Sequence, residues 1–573
     1  MAANRLDLVF LWHMHQPDYR DHTSGRFVMP WTLLHALKDY TDMAAHFERH
    51  PAIRAVVNFV PVLLDQLDDY VHQFETGEFR DPLLAWLARE DLGALPSAER
   101  AQLLEGCFRC NHATMLSPFP RYKRLSELYE SLMREGEAAL AYLSGAYLAD
   151  LVVWYLLAWT GETLRRQEPL LAELMAKGGG FTAADRRALL DLIGRTLASL
   201  VPRYRALAAR GQIELSATPY GHPLAPLLLD FHAARESLPE APLPLAAGYP
   251  GGRDRVRWHV EEAIASHARR FGAPPTGLWP AEGALSMPFV HLVATTGCHW
   301  LASGENVLKN SLAAALVAPL PGAVYQPWQL AEAPGLTLFF RDDRLSDLIG
   351  FEYSKWHGRD AAAHFIAQLE AIAAAAPPGR TPLVTVALDG ENAWEYYPYN
   401  AFYFFEDLYG LLEAHPAIRT RTFAEVLDDP ASHPPARLPH LTAGSWVYGT
   451  LSTWIGEPAK NHAWDLLCAA KQSFDQVMAS GRLKPEEAAA ATAQLAICES
   501  SDWFWWFGDA NPAPTVISFD RLYRRNLANL YRHLRLNPPA QLDKPISSGR
   551  ADGAAVEAGG TMRRGSESTH QAS

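Results

Sequence analysis

The sequence predicts an α/β fold in which parallel strands close into a barrel of the triosephosphate-isomerase type, or a near relative, with helices after it. Three observations predict it. Short apolar runs alternate with helical stretches, each run stops at a cluster of polar residues, and neither GxGxxG nor GxxxxGK[ST] opens any βα unit. Parallel strands joined by helices are buried on both faces, and ligands gather at their carboxyl ends. The missing phosphate-cradling loops remove the usual nucleotide cofactors. About seven such strands suit a barrel better than an open nucleotide-binding sheet.

Leu6 to Trp12 (LDLVFLW) is the first strand, apolar, bounded and too short for a core helix. It runs into His13-Met-His-Gln-Pro17. Residues two apart on a strand project to the same side, so His13 and His15 sit together at its end, and Pro17 stops the ladder. Ile53 to Phe59 is the second strand, followed by Pro61 and a helix from Val62 to Phe74; a long helical region rich in Leu, Ala and Glu covers about 80–175. Thr182 and Asp185 form a capping box for a helix that runs to Gly211, a suitable residue just past its end. Gln212 to Ala217 is a strand that enters Thr218-Pro-Tyr-Gly-His222, and Pro275 to Trp279 leads to Pro280-Ala-Glu282. Cys298 to Ser303, Leu336 to Arg341 and Leu383 to Leu388 are further strands, ending in Ser303-Gly-Glu305, Arg341-Asp-Asp343 and Asp389-Gly-Glu-Asn392.

The texture changes after Leu427. Ser432 to Pro439 is rich in Pro and His and reads as a linker, and helical patterns follow at Ala459 to Met478, Lys484 to Cys498 and Phe519 to His533. The expected organisation is a barrel domain over 1–430, a helical domain over 431–540, and a disordered tail over 541–573 that has no aromatic residue to bury.

Composition narrows the partners. Of 573 residues, 49% are hydrophobic and 20% charged, and 51 Lys and Arg against 64 Asp and Glu leave a net charge of −13. That balance argues against nucleic acid and anionic membranes and leaves neutral substrates open. The 17 Trp and 21 Tyr supply flat faces with polar edges, suited to sugar rings as well as to packing. Cys107, Cys110, Cys298, Cys468 and Cys498 are an odd, scattered set, and one CxxC without a second pair is a poor zinc site. With no apolar signal core and no membrane-length run, the expected compartment is the cytoplasm. Oligomeric state is not legible.

Two strand ends carry acids: Glu282 beside Trp279, and Asp389 after the most regular strand. Paired carboxylates facing each other across a pocket are the minimum for glycoside hydrolysis, one attacking the sugar and the other protonating the leaving oxygen. The acid must keep its proton near neutrality, which takes burial or a neighbouring anion.

Five segments then match a family in order: His13-Met-His-Gln-Pro17, Ser216-Ala-Thr-Pro-Tyr-Gly-His222, Trp279-Pro-Ala-Glu282, Leu388-Asp-Gly-Glu-Asn392 and Glu499-Ser-Ser-Asp-Trp-Phe-Trp-Trp506. They resemble the signature regions of glycoside hydrolase family 57, nearest its amylopullulanase-like and α-amylase-like branch. Pro30-Trp31, His35-Ala-Leu-Lys-Asp-Tyr40, Asn58-Phe-Val-Pro61, Arg341-Asp-Asp-Arg-Leu-Ser-Asp347 and Ser452-Thr-Trp-Ile-Gly-Glu-Pro458 extend the likeness over about residues 6–535. The resemblance implies a distorted (β/α)7 barrel with a helical domain closing the cleft, retaining chemistry on α-1,4 and by extension α-1,6 bonds of α-glucans, no cofactor and no metal. It places Glu282 at the nucleophile position and Asp389 at the acid/base position. It puts His13, His15, His222, Trp279, Arg341, Asp502 and Trp503 at substrate-binding positions. Glu391 becomes a residue that orients Asp389 or raises its pKa, and Glu305 and Asn306 receive no role.

Three alternatives stand beside this. A 4-α-glucanotransferase or branching enzyme would use the same pair. A zinc-dependent mannosidase-like or deacetylase-like enzyme would take His13 and His15 as ligands, with Asp18 or Asp389. A non-catalytic glucan-binding protein would use the tryptophans and leave the carboxylates idle. The Trp503 to Phe507 cluster cannot all face a ligand, so most of its rings are expected in a core.

Overall fold

The computed structural model of the chain describes residues 5–318, 321–391 and 393–550. Seven parallel strands form the barrel: β1 (Leu6–Met14), β2 (Ala55–Phe59), β3 (Ile213–Ala217), β4 (Gly277–Leu278), β5 (Trp300–Gly304), β6 (Thr337–Arg341) and β7 (Leu383–Asp389). They run in the order β7-β1-β2-β3-β4-β5-β6. Between β6 and β7 the ring is stitched by the Asp342 N–H donating to the Thr385 carbonyl at 2.8 Å and by Arg341 Nη1 donating to the Ala387 carbonyl at 3.0 Å. All seven expected strands are present, within two residues at each end. The shortest is β4, which keeps only the centre of its predicted run.

Period-two alternation separates the two faces of each strand. On β1, Val9 and Leu11 face the barrel interior with Val56, Trp300, Phe339 and Ala387, whereas Leu8, Phe10, Trp12 and Met14 pack outward against the helices. His13 is the next inward position, so the chain swaps an apolar plug for an imidazole at the mouth. Gly277 is required on β4, because a Cβ there would lie 2.2 Å from the Trp300 ring.

Register decides which residues meet. Pairing sets His13 opposite Asp389 on one side and Asn58 on the other, and Asn58 opposite Ser216. One row of polar side chains from β7, β1, β2 and β3 therefore crosses the carboxyl end of the barrel.

The helices that matter for this rim are α1 (Ala183–Ala209), α2 (Gly252–Phe271), α3 (Pro458–Ala479), α4 (Pro485–Cys498), α5 (Ser501–Trp506) and α6 (Ala513–His533). α1 opens on the expected capping box of Thr182 and Asp185. Glu499, at the junction of α4 and α5, is clamped on α2 of the barrel: Arg255 Nη2 lies 2.7 Å from it and His259 Nε2 2.7 Å. Burial would raise the Glu499 carboxyl, but these partners overcome it and hold it down to about 2. The C-terminal helices are thereby fastened over the rim.

Two expectations need correction. The expected linker contains a strand, Ala436–Leu438, that pairs in parallel with Trp328–Leu330, and its His433 is buried with Nε2 2.8 Å from Asp7. The expected tail is ordered at its start: Leu542 and Ser547 are buried, and the Ile546 N–H donates to Asp520 on α6 at 2.7 Å. A few apolar and hydrogen-bonding residues sufficed where composition suggested none; residues 551–573 lie outside the described residues. The five cysteines are buried and free. Among the described residues no helix is long and apolar enough to cross a membrane.

Candidate active site

The mouth of the barrel holds a buried pocket walled by His13, His15, His222, Glu282, Asp389, Glu391 and Asp502, with Gln16, Tyr19 and Trp506 among the remaining walls. Each comes from an identifiable place. His13 and His15 lie at and just beyond the end of β1, and Asp389 ends β7. Gly390 lets the chain turn at once, since a Cβ there would meet Met14 Sδ at 2.1 Å. His222 and Glu282 follow β3 and β4, both in the left-handed backbone region, with φ of 57° and 58°. Such backbone costs on the order of 1–3 kcal/mol per non-glycine residue and is kept where a side chain must be aimed. Asp502 and Trp506 share one face of α5, four residues apart.

The hydrogen bonds form a chain. Asn58 Oδ1 is 2.7 Å from His13 Nδ1, His13 Nε2 is 3.1 Å from His222 Nε2, His222 Nδ1 is 2.7 Å from Ser501 Oγ, and Ser501 Oγ is 3.0 Å from Glu282 Oε1. Thr218 Oγ1 donates to Asn58 Oδ1, and Asn58 Nδ2 donates to Ser216, which turns the Asn58 carbonyl toward His13. His13 Nδ1–H donates to that carbonyl, and Ser501 Oγ, next to His222 Nδ1, donates to Glu282 Oε1.

Burial first, then the negative fields of Asp502 and Asp389, push the Glu282 carboxyl up to about 8. The opposing donors are Ser501 Oγ, 3.0 Å from Oε1, and Trp446 Nε1, 3.2 Å from Oε2. Burial and the neighbouring His15 push His13 down to about 3, and burial with both other histidines pushes His222 well below its ordinary value. Both rings are neutral at neutral pH. Burial and Asp389 raise Glu391 well above the usual carboxylate range, while the His15 N–H and Gln16 Nε2 donate to it at 3.3 and 3.1 Å.

Glu282 therefore tilts stability with pH. Its folded pKa lies above the ordinary 4.5, at about 8. As pH rises through that window the unfolded chain releases the proton while the folded chain keeps it, so folding weakens and then levels off. Glu282→Gln, which cannot ionise, is expected to melt higher than the parent at pH 9, by on the order of a few kcal/mol, and scarcely differently at pH 4.5. Equal shifts in calorimetric Tm at both pH values would contradict the assignment.

Not every expected residue reaches the pocket wall. Trp503 is a correction: its ring is buried in the helical core near Phe519 and Tyr523, and its Nε1 donates to the Ile497 carbonyl at 2.8 Å. Trp506 takes the place expected of it. Trp279 is fully buried beside Trp446, its ring 6.1 Å from that of His13, so it backs the pocket without lining it. Arg341 lies outside the wall, donating to Asp343 at 2.8 Å under the Trp446 ring. Glu305 and Asn306, left without a role, hold Asp343 from below.

Among the described residues the group with metal-ligand spacing is His15, His222 and Asp502, whose ligand atoms lie within 4.8 Å of one another. His15 Nε2 already pairs with Asp502 at 2.9 Å. Asp18 belongs elsewhere, held by Arg20 and His22 at 2.7 and 3.0 Å. The free space in the pocket is about 20 Å3, room for a water molecule.

The family model for glycosyl hydrolase family 57 matches residues 9–442. Among solved structures, a branching enzyme of this family from Pyrococcus horikoshii superposes with a TM-score of 0.55 at 16% identity, over 95% of this chain and 93% of that one. An α-amylase from Thermotoga maritima gives 0.53 at 12% identity, over 93% and 94%. A 4-α-glucanotransferase from Thermococcus litoralis gives 0.52 at 13% identity, over 92% and 60%. At these identities the likeness is one of fold. No curated protein sequence matches the chain.

Proposed function

The chain belongs to glycosyl hydrolase family 57, and from that premise we propose that it is a retaining enzyme that cleaves α-1,4 and, by extension, α-1,6 bonds of α-glucans by double displacement. Glu282 is the nucleophile and Asp389 the acid/base. One observation carries the reading: two carboxylates from the ends of different strands, Glu282 and Asp389, share one pocket, and the charge of Asp389 helps raise the Glu282 pKa.

Double displacement needs one carboxylate and one carboxyl at the start. Two interacting acids that share a pocket titrate together, and the apparent pKa belongs to the pair. In the free pocket that proton rests on Glu282. For catalysis it must pass to Asp389, which places it on the leaving oxygen as Glu282 attacks the anomeric carbon. The C–O bond to the leaving chain breaks and a glucosyl ester forms on Glu282. Asp389 then removes a proton from water, whose oxygen displaces the ester, and the initial configuration returns. Neutral His13 and His222, and Asp502 paired with His15, are suited to sugar hydroxyls as donors and acceptors.

A second reading has an observation in its favour. Glu282 is only 2% exposed, and a site so closed limits the access of water to the ester, which favours transfer to a sugar hydroxyl as in a glucanotransferase or branching enzyme. Incubation with maltooligosaccharides, amylose and pullulan separates the two. Hydrolysis adds one reducing end per bond broken, transfer leaves their number constant while redistributing chain lengths, and branching adds α-1,6 signals by NMR. An inverted first product would refute the retaining mechanism.

The same samples test the metal alternative. Protein dialysed against a strong chelator is expected to keep its activity and to carry no stoichiometric zinc. Loss on chelation with recovery on adding zinc would move the His15, His222 and Asp502 group from sugar binding to metal binding.

A further inference from the structure

A second cavity, of about 610 Å3, opens between the helical region after β2 and the segment after Asp389, with Phe119, Glu162, Arg166, Trp394 and Tyr399 among its walls. It shares no wall residue with the catalytic pocket, and its volume is that of a small-molecule site.

Tyr399 is 56% exposed, yet its ring is braced. It packs edge-on to Tyr403 at 5.4 Å; the Tyr403 hydroxyl accepts from Arg166 Nη2 at 3.0 Å; and that guanidinium lies over the Phe402 and Tyr403 rings at 4.2 and 5.1 Å. The backbone beneath is unusual. Tyr399, Asn400 and Ala401 have φ of 54°, 51° and 59°, three consecutive residues in a region costly for any residue with a Cβ. Asn400 holds that turn, accepting from Lys38 Nζ at 2.9 Å and donating to Asp42 at 2.8 Å. The exposed ring is thus aimed by a strained turn that a buried network maintains.

The charges of the wall are largely spent on one another. Arg165 and Arg166 both pair with Glu162, at 2.9 and 2.8 Å, and Lys38 pairs with buried Asp39. Aromatic faces beside balanced polar edges complement a neutral polyhydroxylated ligand better than a phosphate or other anion. The wall is also continuous with the catalytic loop, because Trp394 Nε1 donates to the Gly390 carbonyl, next to Asp389, at 2.7 Å.

We propose that this cavity is a second α-glucan site, which stacks a short stretch of chain on Tyr399 and so anchors polymer beside the catalytic loop. The inference rests on the α-glucan reading above. Calorimetric titration of the full chain carrying Glu282→Gln, so that turnover is blocked, with maltotriose is expected to give two equivalents. Adding Tyr399→Ala should weaken one of them about 3- to 10-fold, the loss of one stacked ring. Adding Ala172→Trp, which fills the cavity from its helical wall, should abolish the same equivalent. Circular dichroism would establish that each variant is folded. Binding that neither variant alters, whatever its stoichiometry, overturns the second site. No binding of maltotriose or amylose by the chain carrying Glu282→Gln alone overturns the α-glucan reading itself, and this inference with it.

Discussion

Glu282→Ala is expected to lower turnover of maltooligosaccharides by roughly 10^4-fold or more, the scale of losing a covalent nucleophile, and azide is expected to restore part of it. The substitution leaves a hole where the carboxylate stood, and a small anion entering there attacks the same carbon. Because one displacement replaces two, the glucosyl azide formed has the opposite configuration to the normal product. The raised pKa of Glu282 gives this experiment its edge, since a carboxyl that holds a proton near neutrality could also be the acid. Absence of rescue, with turnover of activated aryl glucosides preserved, would exchange the two roles.

Asp389→Ala separates substrates by their leaving groups. A sugar hydroxyl leaves only if protonated, so cleavage of natural linkages is expected to fall by about 10^2- to 10^4-fold, the usual contribution of a general acid. An activated aryl leaving group needs no proton, so formation of the glucosyl ester should survive while its breakdown slows. Stopped-flow measurement should then show a burst of released phenol. Equal losses on both substrate classes would remove the acid/base assignment.

The barrel was legible because β strands buried on both faces are short apolar runs, and each ran into polar residues. The His13 and His15 pair was legible for the same reason, as period two continued past the end of the plug. What sequence could not give was the partner of each group. Asp502 and Trp503 were read together because they are adjacent, but neighbours on a helix point about 100° apart. The residue that shares the Asp502 face is four positions on, and that spacing, applied within α5, selects Trp506. Asn58 was visible only as part of a motif; its work depends on strand register, which sets it beside His13. The Ser432 to Pro439 segment misled because a lone three-residue strand takes its stability from a neighbour distant in sequence, Trp328–Leu330.

The contact between His15 and Asp502 spans 487 positions. At translation rates of about 5–20 residues per second, roughly half a minute to a minute and a half separates the appearance of its two ends. During that interval the emerging polypeptide already carries both carboxylates proposed for catalysis, yet it lacks the wall from α5 and the Ser501 contact to Glu282. Competence is therefore expected almost at the close of synthesis, with nascent chains and amino-terminal fragments inert.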